Sequence, residues 1–294
     1  MPKGLILKGV GGFYTVKSDT GIYECRVRGV FRKKGITPVA GDFVRFSVTD
    51  ETAGEGWIEE IEERQNCFIR PPVANVNQIA VVLAKISPEP DFLLVDKLLV
   101  TAEKNGITPL IVINKIDLIN EKELQEVKSI YKDTGYEVVA ISKIGKQGYD
   151  ELHEKLKGRR TVFAGQSGVG KSTILNNIMD SWVMETGEMS KIQRGKHTTR
   201  HVQLLPLDNE GYVVDTPGFS SMSLEGIEYD ELPLMYPEFA KLEGKCRFNG
   251  CSHIKEPGCA VKELVQSGKI SSVRYECYQR LYEELKEQYE NRYR

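Results

Sequence analysis

Short alternating runs of apolar and polar residues fill the first 66 positions of the chain, and glycine-rich turns separate them. Alternation with a period of two is typical of strands that bury one face. Five such strands close together favour a small closed barrel, and the OB-fold is the natural candidate. The predicted strands lie at residues 6–7, 13–16, 23–27, 42–48 and 57–61.

The pattern changes after Arg70, Pro71 and Pro72, where the two prolines mark a boundary. Continuous apolar runs follow, and stretches of helical spacing lie between several of them. This alternation predicts an α/β domain built on a largely parallel sheet. The apolar runs lie at 79–84, 110–113, 138–141, 161–164 and 212–214, and the helical stretches include 93–103 and 121–131.

The strand pattern ends near residue 228, and a cysteine-rich loop follows. A helix is predicted at 273–289 because its larger apolar residues share one stripe. The stripe holds Tyr278, Leu281, Tyr282, Leu285 and Tyr289. These changes of pattern predict a multidomain α/β protein, with an OB-fold β-barrel at 1–66, an α/β domain at 67–227 and a helical domain at 228–294.

Composition adds three constraints to this outline. The chain has 294 residues, of which 40% are apolar and 28% charged, so it is long enough to bury a core. Its net charge of −2 argues against bulk attraction to nucleic acid, so a basic surface must be local. The first residues do not resemble a secretory signal and no apolar run could span a bilayer, so we expect a cytoplasmic protein with reduced cysteines.

A glycine-rich motif of the form GxxxxGKS stands between the predicted strand at 161–164 and a helical stretch at 173–179. That context is typical of a P-loop, whose backbone N–H groups surround a polyphosphate. Lys171 is expected to contact the β- and γ-phosphates, and Ser172 to ligate Mg²⁺. The predicted nucleotide-binding residues of this loop are Gly165, Gln166, Ser167, Gly168, Val169, Gly170, Lys171, Ser172 and Thr173.

The sequence Asn114-Lys115-Ile116-Asp117 follows the predicted strand at 110–113. The Asp117 carboxylate can accept hydrogen bonds from the N1–H and 2-amino groups of guanine, a pair of donors that adenine lacks. Asn114 and the Lys115 stem complete this NKxD motif, which beside a P-loop favours GTP over other nucleotides. Ser142 and Lys143 follow the strand at 138–141 and match a second guanine loop, in which a backbone N–H meets the base carbonyl.

Two further motifs match the switches of a GTPase. Asp215-Thr216-Pro217-Gly218 ends the strand at 212–214, where Asp215 would hold Mg²⁺ through water and the Gly218 N–H would contact the γ-phosphate. Between the P-loop and this strand, Thr199 is the expected Mg²⁺ ligand, with Thr198 as the alternative. Phe219 occupies the position where many GTPases carry a glutamine that orients water, so His197 is the candidate to position the nucleophile.

These motifs occur in a rearranged order. Conventional GTPases run from the P-loop through the switches to NKxD, whereas here NKxD at 114–117 precedes the P-loop at 165–172. Circular permutation gives the same pocket when old termini lie close together and are joined. With its barrel, its motifs and a C-terminal cysteine cluster, the whole chain resembles the RsgA family of circularly permuted GTPases that depend on the small ribosomal subunit.

The resemblance implies an OB-fold domain, a circularly permuted P-loop GTPase domain and a C-terminal zinc-binding domain. It also implies GTP hydrolysis that the 30S subunit stimulates, in late maturation of that subunit. In the family, the histidine of the switch motif is the proposed catalytic residue, and it matches His197. The predicted catalytic residues of this chain are therefore His197, Lys171 and Thr199. Lys143 departs from the family, which usually carries a small residue there.

The cysteine cluster has the spacing Cys246-x₄-Cys251-x-His253-x₅-Cys259. Three thiolates and one imidazole suit a closed tetrahedral structural Zn²⁺ site. The alternative is that these cysteines are buried apolar residues. We also expect zinc to hold together a region too poor in apolar residues to fold alone.

A local basic cluster lies in the barrel region, in a stretch predicted to be largely loop. It can bind RNA phosphates, or it can be an ordinary solvated surface; the family resemblance favours 16S ribosomal RNA. Its members are Arg26, Arg28, Arg32, Lys33 and Lys34.

The sequence thus predicts a monomeric, cytoplasmic GTPase that needs Mg²⁺ with GTP, carries one structural Zn²⁺ and acts on the small ribosomal subunit. The alternative from another class is a zinc-stabilised RNA-binding module that uses GTP as a structural ligand, which Phe219 keeps open. A general NTPase is a third possibility, and Asp117 argues against it.

Overall fold

The computed structural model describes residues 1–28, 36–69, 71–182, 202–215, 224 and 226–292. The chain forms two compact units, each assembled from separate stretches. The first unit comprises Met1–Gln78, His153–Val162 and Leu175–Phe219. The second unit comprises Ile79–Leu152, Phe163–Ile174 and Ser220–Arg294.

The first unit begins with a five-strand barrel, as the sequence predicts. The pairing order β1-β2-β3-β5-β4 closes because β4 pairs again with β1, and only β3 and β5 run parallel. Closure leaves the barrel without an unpaired edge. The strands are β1 Lys3–Val10, β2 Phe13–Ser18, β3 Gly21–Val27, β4 Phe43–Asp50 and β5 Glu55–Ile61. The core holds Ile6, Tyr14, Val16, Cys25, Val44, Phe46 and Ile58.

Five more strands have most of their residues in the first unit. A small hairpin joins β6 Cys67–Ile69 to β7 Pro72–Ala74. Strand β11, Arg160–Ala164, pairs in parallel with β13, Tyr212–Asp215, and β13 pairs antiparallel with β12, Gln203–Pro206. Strand β12 also pairs with β1, so this group of strands is continuous with the barrel. Strands β6, β7 and β12 were not predicted from the sequence.

The second unit contains the order β10-β9-β8, with β9 and β10 parallel. All seven residues of β8 are buried, as expected for a strand covered on both faces. The elements are β8 Gln78–Ala84, α1 Phe92–Lys104, β9 Thr108–Asn114, α2 Glu121–Ile130 and β10 Glu137–Ala140. Two more helices, α3 Tyr149–Leu156 and α4 Lys171–Trp182, begin in this unit and end in the first. This architecture confirms the predicted α/β domain.

The C-terminal part of the second unit is helical and has a substantial apolar core. Its helices are α5 Pro237–Ala240, α6 Ala260–Gln266 and α7 Ser272–Arg292. The expectation that this region is poor in apolar residues is wrong, because its aromatic side chains pack into one cluster. The buried members include Leu224, Ile227, Leu232, Tyr236, Phe239, Val261, Ile270, Tyr278, Leu281 and Leu285. That the region needs zinc to fold stays a prediction. No described helix is long and apolar enough to cross a membrane.

A buried ion network joins α1 to the C-terminal helices within the second unit. The Arg274 side chain, only 1% exposed, donates to Asp96 at 2.5 Å and to both oxygens of Glu238 at 2.9 and 3.2 Å. The Tyr236 hydroxyl donates to the second oxygen of Asp96 at 3.0 Å. Each buried charge therefore has charge-assisted hydrogen bonds, which offset much of the cost of its desolvation.

We predict that Arg274→Met destabilises the protein by about 3–5 kcal/mol, because it leaves two carboxylates buried without their cation. Urea unfolding of the full chain measures this, and the matched control is Arg280→Met at an exposed position of the same helix. Equal stability of the two variants would show that the network contributes little.

Candidate nucleotide and metal sites

The predicted phosphate loop connects β11 to α4, and its glycines have backbone conformations that other residues rarely adopt. The φ angles of Gly165, Gly168 and Gly170 are +139°, +83° and +99°. A Cβ atom at Gly165 would lie 2.1 Å from the Val82 carbonyl oxygen. One at Gly170 would lie 2.4 Å from the Asn114 amide nitrogen. The loop can therefore pack against both neighbours only with glycine at these two positions.

Lys171 begins α4, and its ammonium group lies against the loop. Its Nζ donates to the carbonyl oxygens of Gly165 at 2.7 Å and Gln166 at 2.8 Å. Burial lowers the pKa of Lys171, so the site favours an anionic partner for this group. Ser172 and Thr173 are exposed in the first turn of α4. Ser167 is exposed as well, so these hydroxyl groups are open to a ligand.

The NKxD segment is hydrogen-bonded directly to the phosphate loop. Asn114, at the end of β9, donates from its side-chain amide to the Val169 carbonyl oxygen at 2.8 Å. Its Oδ1 accepts the Lys115 N–H at 2.8 Å. Lys115 has a left-handed backbone with φ of +61°, and its Nζ donates to the Gly168 carbonyl oxygen at 2.8 Å and to that of Ser87. The NKxD motif and the phosphate loop, which are distant in sequence, are therefore in direct contact.

The two predicted guanine loops also contact each other. Asp117 lies in an exposed 3₁₀ turn, Ile116–Leu118, and its Oδ1 accepts a hydrogen bond from the Ser142 hydroxyl at 2.5 Å. The Ser142 hydroxyl itself accepts the Ile144 N–H at 3.0 Å. Ser142 is buried whereas Lys143 is exposed. The sequence predicts only a backbone contact from this loop, and the hydrogen bond by which the Ser142 side chain orients Asp117 was missed.

The switch residues can be described only in part. Asp215 is the last residue of β13, at the carboxyl end of that strand in the first unit. The predicted roles of His197, Thr198, Thr199 and Gly218 fall outside the described residues. These four assignments therefore stay predictions.

The cysteine cluster comes together as the spacing predicts. The ligand atoms of Cys246, Cys251, His253 and Cys259 all lie within 4.8 Å of one another. His253 Nδ1 is 3.3 Å from Cys259 Sγ and 3.6 Å from Cys246 Sγ. This Cys₃His geometry suggests a zinc site.

The protonation chemistry of the cluster also fits a metal dication. Burial raises the pKa of Cys251 to about 12 and also raises that of Cys259, so these thiols need a cation nearby to ionise. Burial lowers the pKa of His253, which keeps its imidazole neutral as a metal ligand must be. Four ligands complete a tetrahedron, so the arrangement favours a structural ion over a catalytic one.

The predicted RNA-binding cluster is described at two of its five positions. Arg26 stacks over the Phe13 ring at 4.5 Å, on the exposed surface of the barrel. Arg28 forms an ion pair with Glu59 at 2.8 Å, which partly neutralises it. Arg32, Lys33 and Lys34 lie outside the described residues, so the whole cluster stays a prediction.

Family models match most of the chain. The model described as RsgA GTPase matches residues 61–225, and the RsgA N-terminal domain matches residues 3–58. The first match includes both nucleotide loops and Asp215. The second covers the five-strand barrel almost completely.

Relatives and solved structures agree with the family models over almost the full length. The chain is 53% identical over 290 residues to the small ribosomal subunit biogenesis GTPase RsgA of Ruminiclostridium cellulolyticum, covering 98% of this chain and 95% of the relative. It is 48% identical to the protein of that name from Geobacillus kaustophilus, over 98% of both chains.

The crystal structure of YloQ, a circularly permuted GTPase, matches with a TM-score of 0.82 and 38% identity, over 98% of this chain and 96% of that one. YjeQ from Thermotoga maritima matches with a TM-score of 0.80 and 37% identity, over 97% and 98%. The motifs, the fold and these similarities agree, and the chain belongs to the RsgA family of circularly permuted GTPases.

Proposed function

We propose that this chain is a GTPase switch that binds the small ribosomal subunit in the cytoplasm and hydrolyses GTP during late maturation of that subunit. The observation that carries the nucleotide assignment is the hydrogen bond from Asn114 to Val169, which joins the base and phosphate loops. The subunit assignment rests on the printed function of the full-length relatives.

Base recognition follows from the geometry around Asp117. The Ser142 hydroxyl bonds one carboxylate oxygen and thereby fixes the direction of the group. The carboxylate can then accept both the N1–H and 2-amino donors of guanine. Adenine offers no such pair of donors, so an adenine nucleotide would leave the carboxylate without its partners.

Phosphoryl transfer to water needs charge stabilisation more than covalent chemistry. In our proposal the backbone N–H groups of the phosphate loop and Lys171 bind the β- and γ-phosphates. Ser172, Thr199 and, through water, Asp215 would hold the Mg²⁺ that accompanies GTP and neutralises the phosphates. Gly218 would contact the γ-phosphate through its N–H.

Positioning of the attacking water is assigned to His197. The phenylalanine side chain of Phe219 cannot donate or accept the hydrogen bonds that orient water. An imidazole can do both, and it lies in the segment that precedes Thr199. Hydrolysis should therefore depend on His197.

The Cys₃His cluster has a separate, structural role in this proposal. Cys246, Cys251, His253 and Cys259 would hold one Zn²⁺ that cross-links the loops before α6, without taking part in hydrolysis. The barrel arginines Arg26 and Arg28, with the basic residues that follow them, would contact 16S ribosomal RNA phosphates.

The first test measures GTP hydrolysis by the purified chain alone, with small subunits and with large subunits, at fixed salt and Mg²⁺. We predict that only small subunits stimulate turnover, by more than about a hundredfold, because Phe219 stands where many GTPases carry the glutamine that orients water. GTP binding without stimulation by either subunit would contradict the proposal and favour an RNA-binding module that uses GTP as a structural ligand.

The second test replaces His197 with alanine. Subunit-stimulated turnover should fall by about a hundredfold or more, while GTP affinity should stay the same, because the imidazole acts on water and not on the nucleotide. His201→Ala in the same segment is the matched control. Unchanged turnover of the His197 variant would remove this residue from the mechanism.

A further inference from the structure

A carboxylate outside all the motifs lies within the loop of the metal cluster. Glu256 Oε1 accepts the Ser252 N–H at 2.9 Å and the Ser252 hydroxyl at 2.6 Å. Its Oε2 accepts the N–H groups of Ile254 at 3.2 Å and Lys255 at 3.1 Å. One side chain thus receives four hydrogen bonds from the residues just before it.

These bonds shape the chain around the histidine ligand. Because three backbone N–H groups converge on one carboxylate, residues 252–255 must curl around it. His253 lies in the middle of this curl with φ of +61°, a left-handed conformation that residues other than glycine rarely adopt. Its Nδ1 lies 3.3 Å from Cys259 Sγ in this conformation. The direction of the imidazole is therefore tied to the hydrogen bonds of Glu256.

Two carbonyl groups of the same loop accept hydrogen bonds from tyrosine side chains of α7. The Tyr275 hydroxyl donates to the His253 carbonyl oxygen at 2.7 Å. The Tyr278 hydroxyl donates to the Ser252 carbonyl oxygen at 2.5 Å. Side chains of the protein therefore bond three N–H groups and two C=O groups of the loop.

Glu256 is not placed to ligate the ion itself. Both of its oxygens are engaged by the loop, and the ligand set of three cysteines and one histidine already makes four. Burial opposes ionisation of Glu256, but the hydrogen bonds from Ser252 and the loop backbone outweigh it and lower the pKa to about 2. The group is thus an anion that accepts hydrogen bonds throughout the neutral range.

We propose that Glu256 is a positioning residue for the metal site, whose carboxylate folds the ligand loop so that the four ligand atoms are gathered before the ion binds. Ion binding then does not have to order residues 252–255. A loop that already has its bound conformation gives a higher affinity, because binding of the ion then does not include the loss of conformational entropy of the loop.

The test compares the Zn²⁺ affinities of full-length variants by competition with a chromophoric chelator. In Glu256→Gln the amide NH₂ must face backbone N–H donors in either orientation, so part of the loop loses its acceptor. We expect an affinity about 10–100-fold below that of the unmodified chain, as for other residues that orient metal ligands. Glu263→Gln, which removes an exposed charge in α6, is the matched control and should bind as the unmodified chain does.

Two further readouts separate positioning from general destabilisation. The Co²⁺-substituted Gln variant should keep the absorption bands of a tetrahedral Cys₃His site, and its GTP affinity should be unchanged. Glu256→Asp keeps the charge on a shorter side chain and should show an intermediate Zn²⁺ affinity. The Asp variant also tests the proposal if the Gln variant does not fold.

Hydrogen exchange of the metal-free protein tests whether the loop forms before the ion binds. The amides of Ser252, Ile254 and Lys255 should be protected in the metal-free unmodified chain and exchange at least about tenfold faster in Glu256→Gln. Two results would overturn the proposal. One is Zn²⁺ affinity in both Glu256 variants equal to that of the control, and the other is unprotected loop amides in the metal-free unmodified chain.

Discussion

The nucleotide site depends on the hydrogen bond between the Asn114 amide and the Val169 carbonyl oxygen. The base loop and the phosphate loop follow different strands and this bond joins residues 55 positions apart, so the alignment of the two loops must come from tertiary contacts. The contact distance at Gly170 shows how closely the two loops approach, since a single methyl group there would displace Asn114. Lys115 adds a second link through the Gly168 carbonyl oxygen. The site can bind the base and the triphosphate of one nucleotide at the same time only while these two loops keep their relative positions.

Helix α1 connects this site to the C-terminal part of the second unit. At its start, the Asp91 N–H donates to the side chain of Gln166 in the phosphate loop at 3.2 Å. In its middle, Asp96 pairs with the buried Arg274 of α7. The same α7 supports the metal loop through two tyrosine hydroxyls. The buried ion network and the Cys₃His cluster thus lie in neighbouring parts of one helical framework, and the phosphate loop is hydrogen-bonded to that framework.

Local chemistry explains which parts of the candidate site leave a pattern in the sequence. A phosphate loop needs glycines at fixed places, and a Cys₃His cluster needs its ligands close together in the chain, so both leave short motifs. Partners distant in sequence leave no such trace: Arg274 bonds Asp96 across 178 positions and Glu238 across 36. The orienting role of Ser142 on Asp117 is another contact of this kind, across 25 positions.

The missed strands have physical explanations as well. Strand β12 has only four residues, all buried, so it lacks the alternation that identifies a half-buried strand. Strands β6 and β7 have three residues each, too few for a pattern. The C-terminal core was underestimated because only the stripe that contains Tyr278 was predicted, whereas Tyr236 lies outside every predicted element; both tyrosines are fully buried.

Calorimetric titration with nucleoside diphosphates tests most directly whether the permuted chain builds one guanine-specific pocket. The unmodified chain should bind GDP more than about a hundredfold more tightly than ADP. Asp117→Asn should lose GDP affinity and gain affinity for xanthosine diphosphate, because xanthine has an acceptor where guanine has its 2-amino group. Equal affinity for GDP and ADP, or an Asn variant that still prefers GDP to xanthosine diphosphate, would contradict the account.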